Sequence, residues 1–324
     1  MKLVTQSRYG GPDVLEIREA ARPVPRENEV LIRTGAFSVT LADCAFRKAD
    51  PFLVRFFTGL IRPKDLVLGD DIGGVVAAIG SKVTRFRLGD AVCGSVGSKL
   101  GGAAEYVCLS EDAAIVQRPA GLDAGQAAGL SYGYLTAMPF IRDEAQVKPG
   151  DKVLINGATS SIGYVALQLA RHYGAEVTAV CSARNGELVR SLGADHVIDR
   201  GMTDFTDARD AYDVIFDAVG KSSFSRCKAA LRPGGLYLTT VPSLAIVWHM
   251  LTRRKPGKRG RLATTGLRAD TARLKDMQVM VDLVAAGSLR AVTDRRYALE
   301  RVADAHRQVD SGQKVGDVVV EFPG

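Results

Sequence analysis

Residues 150–185 read GDKVLINGATSSIGYVALQLARHYGAEVTAVCSARN. A strand of the fully buried kind at 153–155 runs into Gly157-Ala158-Thr159-Ser160-Ser161-Ile162-Gly163, and an amphipathic helix over about 162–173 follows at once, leading to a second strand, EVTAVC. That order is a βαβ unit, whose right-handed crossover makes the two strands parallel neighbours. The N–H groups at the helix start converge on one spot and the macrodipole favours an anion there, so a pyrophosphate suits the turn. Gly157 permits the turn, Ser160 or Ser161 can cap the helix, and Gly163 lets the helix pack close to the sheet. Ser160 stands where the dinucleotide fingerprint has its middle glycine, so the surrounding βαβ unit carries the reading more than the pattern does.

The alternation continues on the C-terminal side. A helix over GELVRSL (186–192), ended by Gly193 as a left-handed cap, precedes HVID, YDVIFDAVG, a further helix and GLYLTTV. Before about residue 120 the texture differs: short β-branched runs (EVLIRTGAFSV, GGVVAAIG, DAVCGSV, AEYVCLS) alternate with Gly-Asp and Ser-Lys turns, which reads as a mostly antiparallel, partly barrel-shaped domain. Asp123 with Gln126 forms a capping box at the boundary. From about residue 289 one helix and a closing strand return to the first domain. The expected fold is therefore α/β, with residues 1–120 and 290–324 forming one domain and 121–289 a doubly wound parallel sheet.

Composition agrees with this division. A chain of 324 residues exceeds what one core of about 250–300 residues supports, and 46% hydrophobic with 24% charged residues excludes disordered, collagen-like and coiled-coil classes. The net charge of +7 is local. Seven bases (Arg253, Arg254, Lys255, Lys258, Arg259, Arg261, Arg268) fall in one acid-free segment, and the other bases equal the 36 acids in number. Without interleaved aromatics that segment reads as a solvated loop, and nucleic acid is not an expected partner. Five cysteines, at 44, 93, 108, 181 and 227, give neither a disulfide framework nor a zinc knuckle, which suits a reducing cytoplasm. Residues 1–10 lack an apolar leader, and the apolar stretch 236–251 is broken by Thr239, Thr240, Pro242 and Ser243, so neither export nor membrane contact is expected.

The second strand selects the cofactor. NAD sites end it with an acid for the ribose hydroxyls, whereas Cys181-Ser182-Ala183-Arg184-Asn185 offers a hydroxyl, a guanidinium and an amide. Those groups suit a 2′-phosphate, and Arg200 after the third strand adds a second positive charge. NADPH is the expected cofactor.

At this point the chain resembles the medium-chain dehydrogenase/reductase superfamily, in its zinc-independent, quinone-oxidoreductase-like branch. The matching stretches include SVTLADCAFR, LGDDIGGVVAAIGSKVTRFRLGDAVCG, GGAAEYVCLSEDAAIVQRPAGLDAGQAAGLSYGYLTA, GDKVLINGATSSIG, CSARNGELVRSLGADHVID, YDVIFDAVG and AHRQVDSGQKVGDVVVEF, poorest over 46–66 and 242–272. The resemblance implies a GroES-like catalytic domain built from both chain ends, a Rossmann domain between them, and the nicotinamide in the intervening cleft. It further implies Thr136 on the nicotinamide side, Ser161 and Ile162 on the pyrophosphate, Ser182, Arg184 and Asn185 on the 2′-phosphate, and Val219 and Gly220 near the nicotinamide ribose. Thr40 departs from the family's asparagine, Ser160 from a glycine and Arg200 from a tyrosine.

Zinc-dependent relatives need a thiolate, a histidine and a four-cysteine lobe. Here Asp70-Asp71 occupies the "GHE" position, the four histidines (172, 196, 249, 306) read as distant from it, and no metal is expected. Without a Lewis acid, the accessible reaction is hydride transfer to a quinone or α,β-unsaturated carbonyl, with Thr40 and Tyr132 as hydrogen-bond donors and Asp43 orienting its neighbours. Phe46, Phe52, Phe56 and Phe57 are expected to form an apolar flap favouring small apolar or aromatic acceptors, and a homodimer is the expected assembly. The competing expectation is a cofactor-binding sensor, scaffold or nucleic-acid binder that keeps the same fold with little turnover.

Overall fold

The computed structural model describes residues 1–323 apart from 51, 64–65, 98–99, 253–256, 264 and 266–267, with the backbone alone at 53, 57, 66, 251 and 252. In chain order the strands are β1 (Lys2–Gln6), β2 (Leu15–Glu19), β3 (Glu29–Val39), β4 (Leu66–Val67), β5 (Asp71–Ile79), β6 (Ala91–Ser95), β7 (Tyr106–Ser110), β8 (Ile115–Gln117), β9 (Lys152–Asn156), β10 (Glu176–Cys181), β11 (His196–Asp199), β12 (Tyr212–Asp217), β13 (Leu231–Thr239), β14 (Arg259–Leu262), β15 (Thr293–Ala298) and β16 (Asp317–Glu321). The chain divides into two compact units: Met1–Tyr132 with Gly266–Ala285 and Ala291–Gly324, and Gly133–Thr265 with Ala286–Arg290.

In the first unit a seven-stranded sheet runs β15-β16-β3-β5-β6-β8, with β7 also on β3, beside a three-stranded sheet β2-β1-β4. Every pair in it is antiparallel except β15 with β16. One edge of β3 pairs β7 over Glu29 to Arg33 and β16 over Ala36 to Val39, and two register shifts against β5 add the bends that curl the sheet. Val30, Ile32, Ile72, Val92 and Ile115 fill one core, while Phe37, Val39, Val318 and Val320 pack with the helix Val302–Asp310 in another. The sequence places residues 121–132 and 266–285 in the second domain, yet they group with the first. A Cβ at Gly73 would lie 2.0 Å from the carbonyl oxygen of Ala124, so the helix Ala124–Met138 starts against β5, and the helix Asp270–Ala285 packs on β8.

The second unit is a six-stranded sheet, β11-β10-β9-β12-β13-β14, parallel at every pairing. Counted within the unit this is the order 3-2-1-4-5-6, so the chain reverses direction at β9 and β12 and opens a crevice at their carboxyl ends. Residues 286–290 join it through Gln168, whose amide bonds the carbonyl and the N–H of Arg290 at 3.0 and 2.9 Å. The basic segment is no simple solvated loop where it is described. It supplies β14, and Lys258 pairs with Asp210 and Arg261 with Glu144, at 2.6 and 2.7 Å. Arg253, Arg254 and Lys255 lie outside the described residues. No helix among the described residues is long and apolar enough to cross a membrane.

One buried ion pair fixes the helix Leu41–Lys48 in the first unit. Arg47 is completely buried, its Nη2 lies 2.6 Å from Asp310 Oδ2, and Lys48 Nζ lies 2.6 Å from the other oxygen. Removing one partner of a buried pair leaves an uncompensated charge, which costs several kcal/mol. Asp310→Ala should therefore destabilise the protein by roughly 3 kcal/mol, seen as a lower urea midpoint. A change of a few tenths would show that Arg47 is satisfied some other way.

Candidate functional site

Two clusters, one in each unit, hold the candidate residues. In the second unit, β9 ends at Asn156, and Gly157 takes a φ of +78° that a side-chain-bearing residue rarely adopts. The N–H groups of Gly157 and Ala158 donate to the carbonyl of Val180 at 3.2 and 3.1 Å, which ties the turn to β10. Ser160 is the cap: its Oγ accepts the N–H of Gly163 at 3.0 Å. A Cβ on Gly163 would stand 2.1 Å from the carbonyl oxygen of Gly157, so this glycine folds the helix start onto the turn itself rather than onto the sheet. A Cβ at Gly133 would stand 2.5 Å from the carbonyl oxygen of Ser161, which brings half-buried Thr136 close along the same helix.

The turn also meets the end of β12. A Cβ at Gly157 would collide with Val219 at 2.5 Å, and Asp217, fully buried, accepts Asn156 Nδ2 at 2.9 Å, the N–H of Ser222 at 2.7 Å and the Tyr237 hydroxyl at 3.1 Å. Asn156 and Asp217 face each other in the register of β9 and β12, and together they lock the loop carrying Val219 and Gly220 to the turn. Neither was singled out from sequence; the signal was an amide and a carboxylate ending two strands that turn out to be neighbours. Gly220 borders a cavity of about 320 Å³, lined also by Phe224, Tyr237, Val241 and Trp248. After β10, Ser182 and Asn185 are half-buried and Arg184 is exposed. Arg200 is exposed too, and its N–H donates to the carbonyl of Cys181 at 2.9 Å, which seats it beside Ser182. Neither arginine has an ion-pair partner among the described residues. The turn and this positive rim fit a dinucleotide carrying a 2′-phosphate.

In the first unit Thr40, Asp43 and Tyr132 come together. Thr40 caps the helix Leu41–Lys48: its Oγ1 accepts the N–H of Asp43 at 3.1 Å and donates to Asp43 Oδ2 at 2.7 Å, and its N–H donates to that same oxygen at 2.8 Å. The N–H of Gly69 holds Asp43 Oδ1 at 2.9 Å. Tyr132, half-buried, is hydrogen-bonded to Thr40. Beside them Asp71 is fully buried and accepts the N–H of Ser38 at 2.7 Å together with its hydroxyl, while Asp70 accepts the Ser95 hydroxyl at 2.6 Å. Burial raises all three carboxyls above the ordinary range, Asp71 well above it, against the opposing hydrogen bonds. Burial also raises the Tyr132 phenol, and Asp43, Asp70 and Asp71 push it the same way. Among the described residues, the guanidinium beside these groups is that of Arg273, buried, bonded to Ser95 and 3.8 Å from Asp70.

His306 lies with Nδ1 3.5 Å from Cys44 Sγ. Burial raises the thiol and lowers the imidazole to about 3, so the pair sits as neutral thiol and neutral ring. Among the described residues no group of three or more His, Cys, Asp or Glu side chains could hold a metal ion. Phe52 and Phe56 are 61% and 66% exposed and meet edge-on at 6.1 Å. Phe46 is half-buried, and the side chain of Phe57 lies outside the described residues.

Residues 26–120 match the model of the alcohol dehydrogenase GroES-like domain, and 192–320 that of the zinc-binding dehydrogenase family. The chain is 31% identical over 336 residues to an NADPH-dependent alkenal/one oxidoreductase, chloroplastic, of Arabidopsis thaliana, covering 99% of this chain and 79% of that protein. It is 29% identical over 333 residues to a chloroplast envelope quinone oxidoreductase homolog of the same plant, covering 99% and 98%. The solved quinone oxidoreductase from Coxiella burnetii superposes with a TM-score of 0.87 at 28% identity, covering 100% of this chain and 99% of that one.

Proposed function

The chain belongs to the medium-chain dehydrogenase/reductase superfamily, in its quinone-oxidoreductase-like branch, and on that premise we propose that it is an NADPH-dependent oxidoreductase that reduces quinones or α,β-unsaturated carbonyls without a metal. The observation that carries the reading is the state of the carboxylates at Asp70-Asp71, where zinc-dependent relatives have the "GHE" motif, and of their neighbour Asp43. Asp71 is taken up by Ser38, Asp43 by Thr40 and Gly69, and Asp70 by Ser95 with the Arg273 cation beside it. A zinc ion seeks a tetrahedral set of thiolate and imidazole donors, and these groups do not supply one.

In the second unit Gly157, Ser160, Ser161, Ile162 and Gly163 would hold the pyrophosphate, and Ser182, Arg184, Asn185 and Arg200 the 2′-phosphate, with Thr136, Val219 and Gly220 toward the nicotinamide. When bound, the reduced dinucleotide supplies a hydride. The chain's own task is to stabilise the oxyanion that the acceptor develops. Burial and the neighbouring carboxyls keep Tyr132 a neutral phenol; because the Thr40 hydroxyl gives its own proton to Asp43, Tyr132 donates to Thr40 at rest and turns that O–H to the acceptor's oxyanion during reaction. The exposed Phe52 and Phe56 rings, packed edge to face, offer an apolar surface to the acceptor. The large exposed side chains of the helix Leu244–Thr252, Leu244 at 91% and Trp248 at 71%, support a homodimer. Five cysteines without disulfides suit a reducing compartment such as the cytoplasm.

NADPH should bind at least about 10-fold more tightly than NADH, since one charge-assisted hydrogen bond is worth roughly 1.5–3 kcal/mol. Arg184→Ala should remove most of that preference in a fluorescence titration; equal affinities in the wild type would refute it. With exhaustive chelation, a panel of quinones and enones should still be turned over while unactivated secondary alcohols with NADP⁺ stay nearly inert. Activity that disappears with stoichiometric zinc would overturn the metal-free reading. A folded, NADPH-binding protein that reduces none of the panel would favour a sensor or scaffold.

A further inference from the structure

We propose that Asp70 is the acid that delivers a proton to the reduced acceptor. The proposal rests on the reading above, that the protein reduces an activated carbon–carbon double bond. It begins from a difference among three neighbouring carboxyls. Asp43 and Asp71 are 2% and 0% exposed, and both oxygens of each accept hydrogen bonds from their own surroundings. Asp70 alone keeps 28% of its side chain exposed, and its two close side-chain contacts, Ser95 Oγ at 2.6 Å and Arg273 Nη2 at 3.8 Å, converge on Oδ1. The backbone N–H of Gly97 also bonds the carboxyl, which is thus gripped from the protein side and partly exposed on the other.

The charged and titratable groups around it decide its resting state. Arg273, from the helix Asp270–Ala285, is shared with Asp270 at 3.3 Å. Asp43 from the helix Leu41–Lys48, Asp71 from β5 and Tyr132 from the helix Ala124–Met138 each feel the charge of Asp70. Three neighbouring carboxyls, of which Asp70 is the one in ion-pair contact with Arg273 among the described residues, cannot all ionise at low cost, and the one partly open to solvent is the one able to exchange its proton with water. Ser95 and Arg273 then act as positioning residues, holding Oδ1 so that the acidic proton faces outward.

The step balances as follows. Once hydride has reached the β-carbon, the acceptor is an enolate whose oxygen takes a hydrogen bond from Tyr132. The O–H bond of the Asp70 carboxyl breaks with its electron pair staying on the carboxylate, and a C–H bond forms at the α-carbon. Water reprotonates Asp70 through its exposed side.

Asp70→Asn preserves shape and removes the proton. Using NADPH with 2-cyclohexenone, kcat should drop about 100-fold or more, while NADPH affinity measured by titration stays within about twofold. Wild-type kcat should decline as pH rises through the Asp70 ionisation; that limb should be absent in Asp70→Asn and retained in Asp70→Glu. Reduction of a benzoquinone, whose product oxygens can take protons directly from water, should fall far less. Enone turnover by Asp70→Asn within threefold of wild type, or an unchanged pH limb, overturns the proposal. Should the variant fail to fold, ¹³C NMR of carboxyl-labelled aspartate in the wild type serves instead: Asp70 must titrate above the ordinary aspartate range, and titration within it overturns the assignment. A wild-type protein that reduces neither acceptor refutes the underlying reading itself.

Discussion

The carbonyl oxygen of Gly157 stands 2.1 Å from where a Cβ on Gly163 would be, and much of the second unit is arranged around that absence of a side chain. Because the helix start can close this far onto the turn, its first N–H groups gather over the end of β9. Ser160 then satisfies one donor of the first turn. The same turn is pressed by Val219 and tied to β12 through Asn156 and Asp217. A phosphate cradle and the loop expected beside the nicotinamide are thereby one rigid assembly rather than two independent loops, which is the preorganisation that dinucleotide binding requires.

The first unit solves a different problem, placing polar groups inside a β-rich core without stranding them. Its means is the capped helix Leu41–Lys48. At the N-terminus Thr40 and Asp43 satisfy each other and capture Gly69, and at the C-terminus Arg47 is pinned to Asp310. Both ends being fixed, the Thr40 hydroxyl has one orientation to offer Tyr132. Of the neighbouring carboxyls, Asp70 meets the Arg273 guanidinium and Ser95, while Asp71 is held by the N–H and hydroxyl of Ser38.

Local features were legible in the sequence because their partners are local. The strand, turn and helix around Gly157 appear as read, with the helix at Ser161–His172, and the capping box closes with Asp123 and Gln126 bonded in both directions at 3.1 and 2.9 Å. Gly193 ends its helix with a φ of +105°. What escaped were contacts without a sequence neighbourhood. Arg47 and Asp310 are 263 positions apart, Cys44 and His306 262, and Arg273 and Ser95 178. Two strands were hidden for another reason. β15, with the sequence TDRRYA, has no apolar alternation, and β14 lies in a run whose charges looked unpaired because their acids, Asp210 and Glu144, come from distant parts of the chain. An edge strand in a parallel sheet needs little of its own hydrophobicity when Gly260 is its only buried residue.

The central claim is that a dinucleotide held by the Gly157 turn passes hydride directly to an activated carbon with no metal taking part. Single-turnover reaction of the chelator-treated protein with NADPH deuterated at C4 and an enone tests this most directly. The account predicts one deuterium at the β-carbon of the product per turnover, drawn from only one of the two C4 positions. Product lacking deuterium, or deuterium transfer that appears only when zinc is restored, would contradict it.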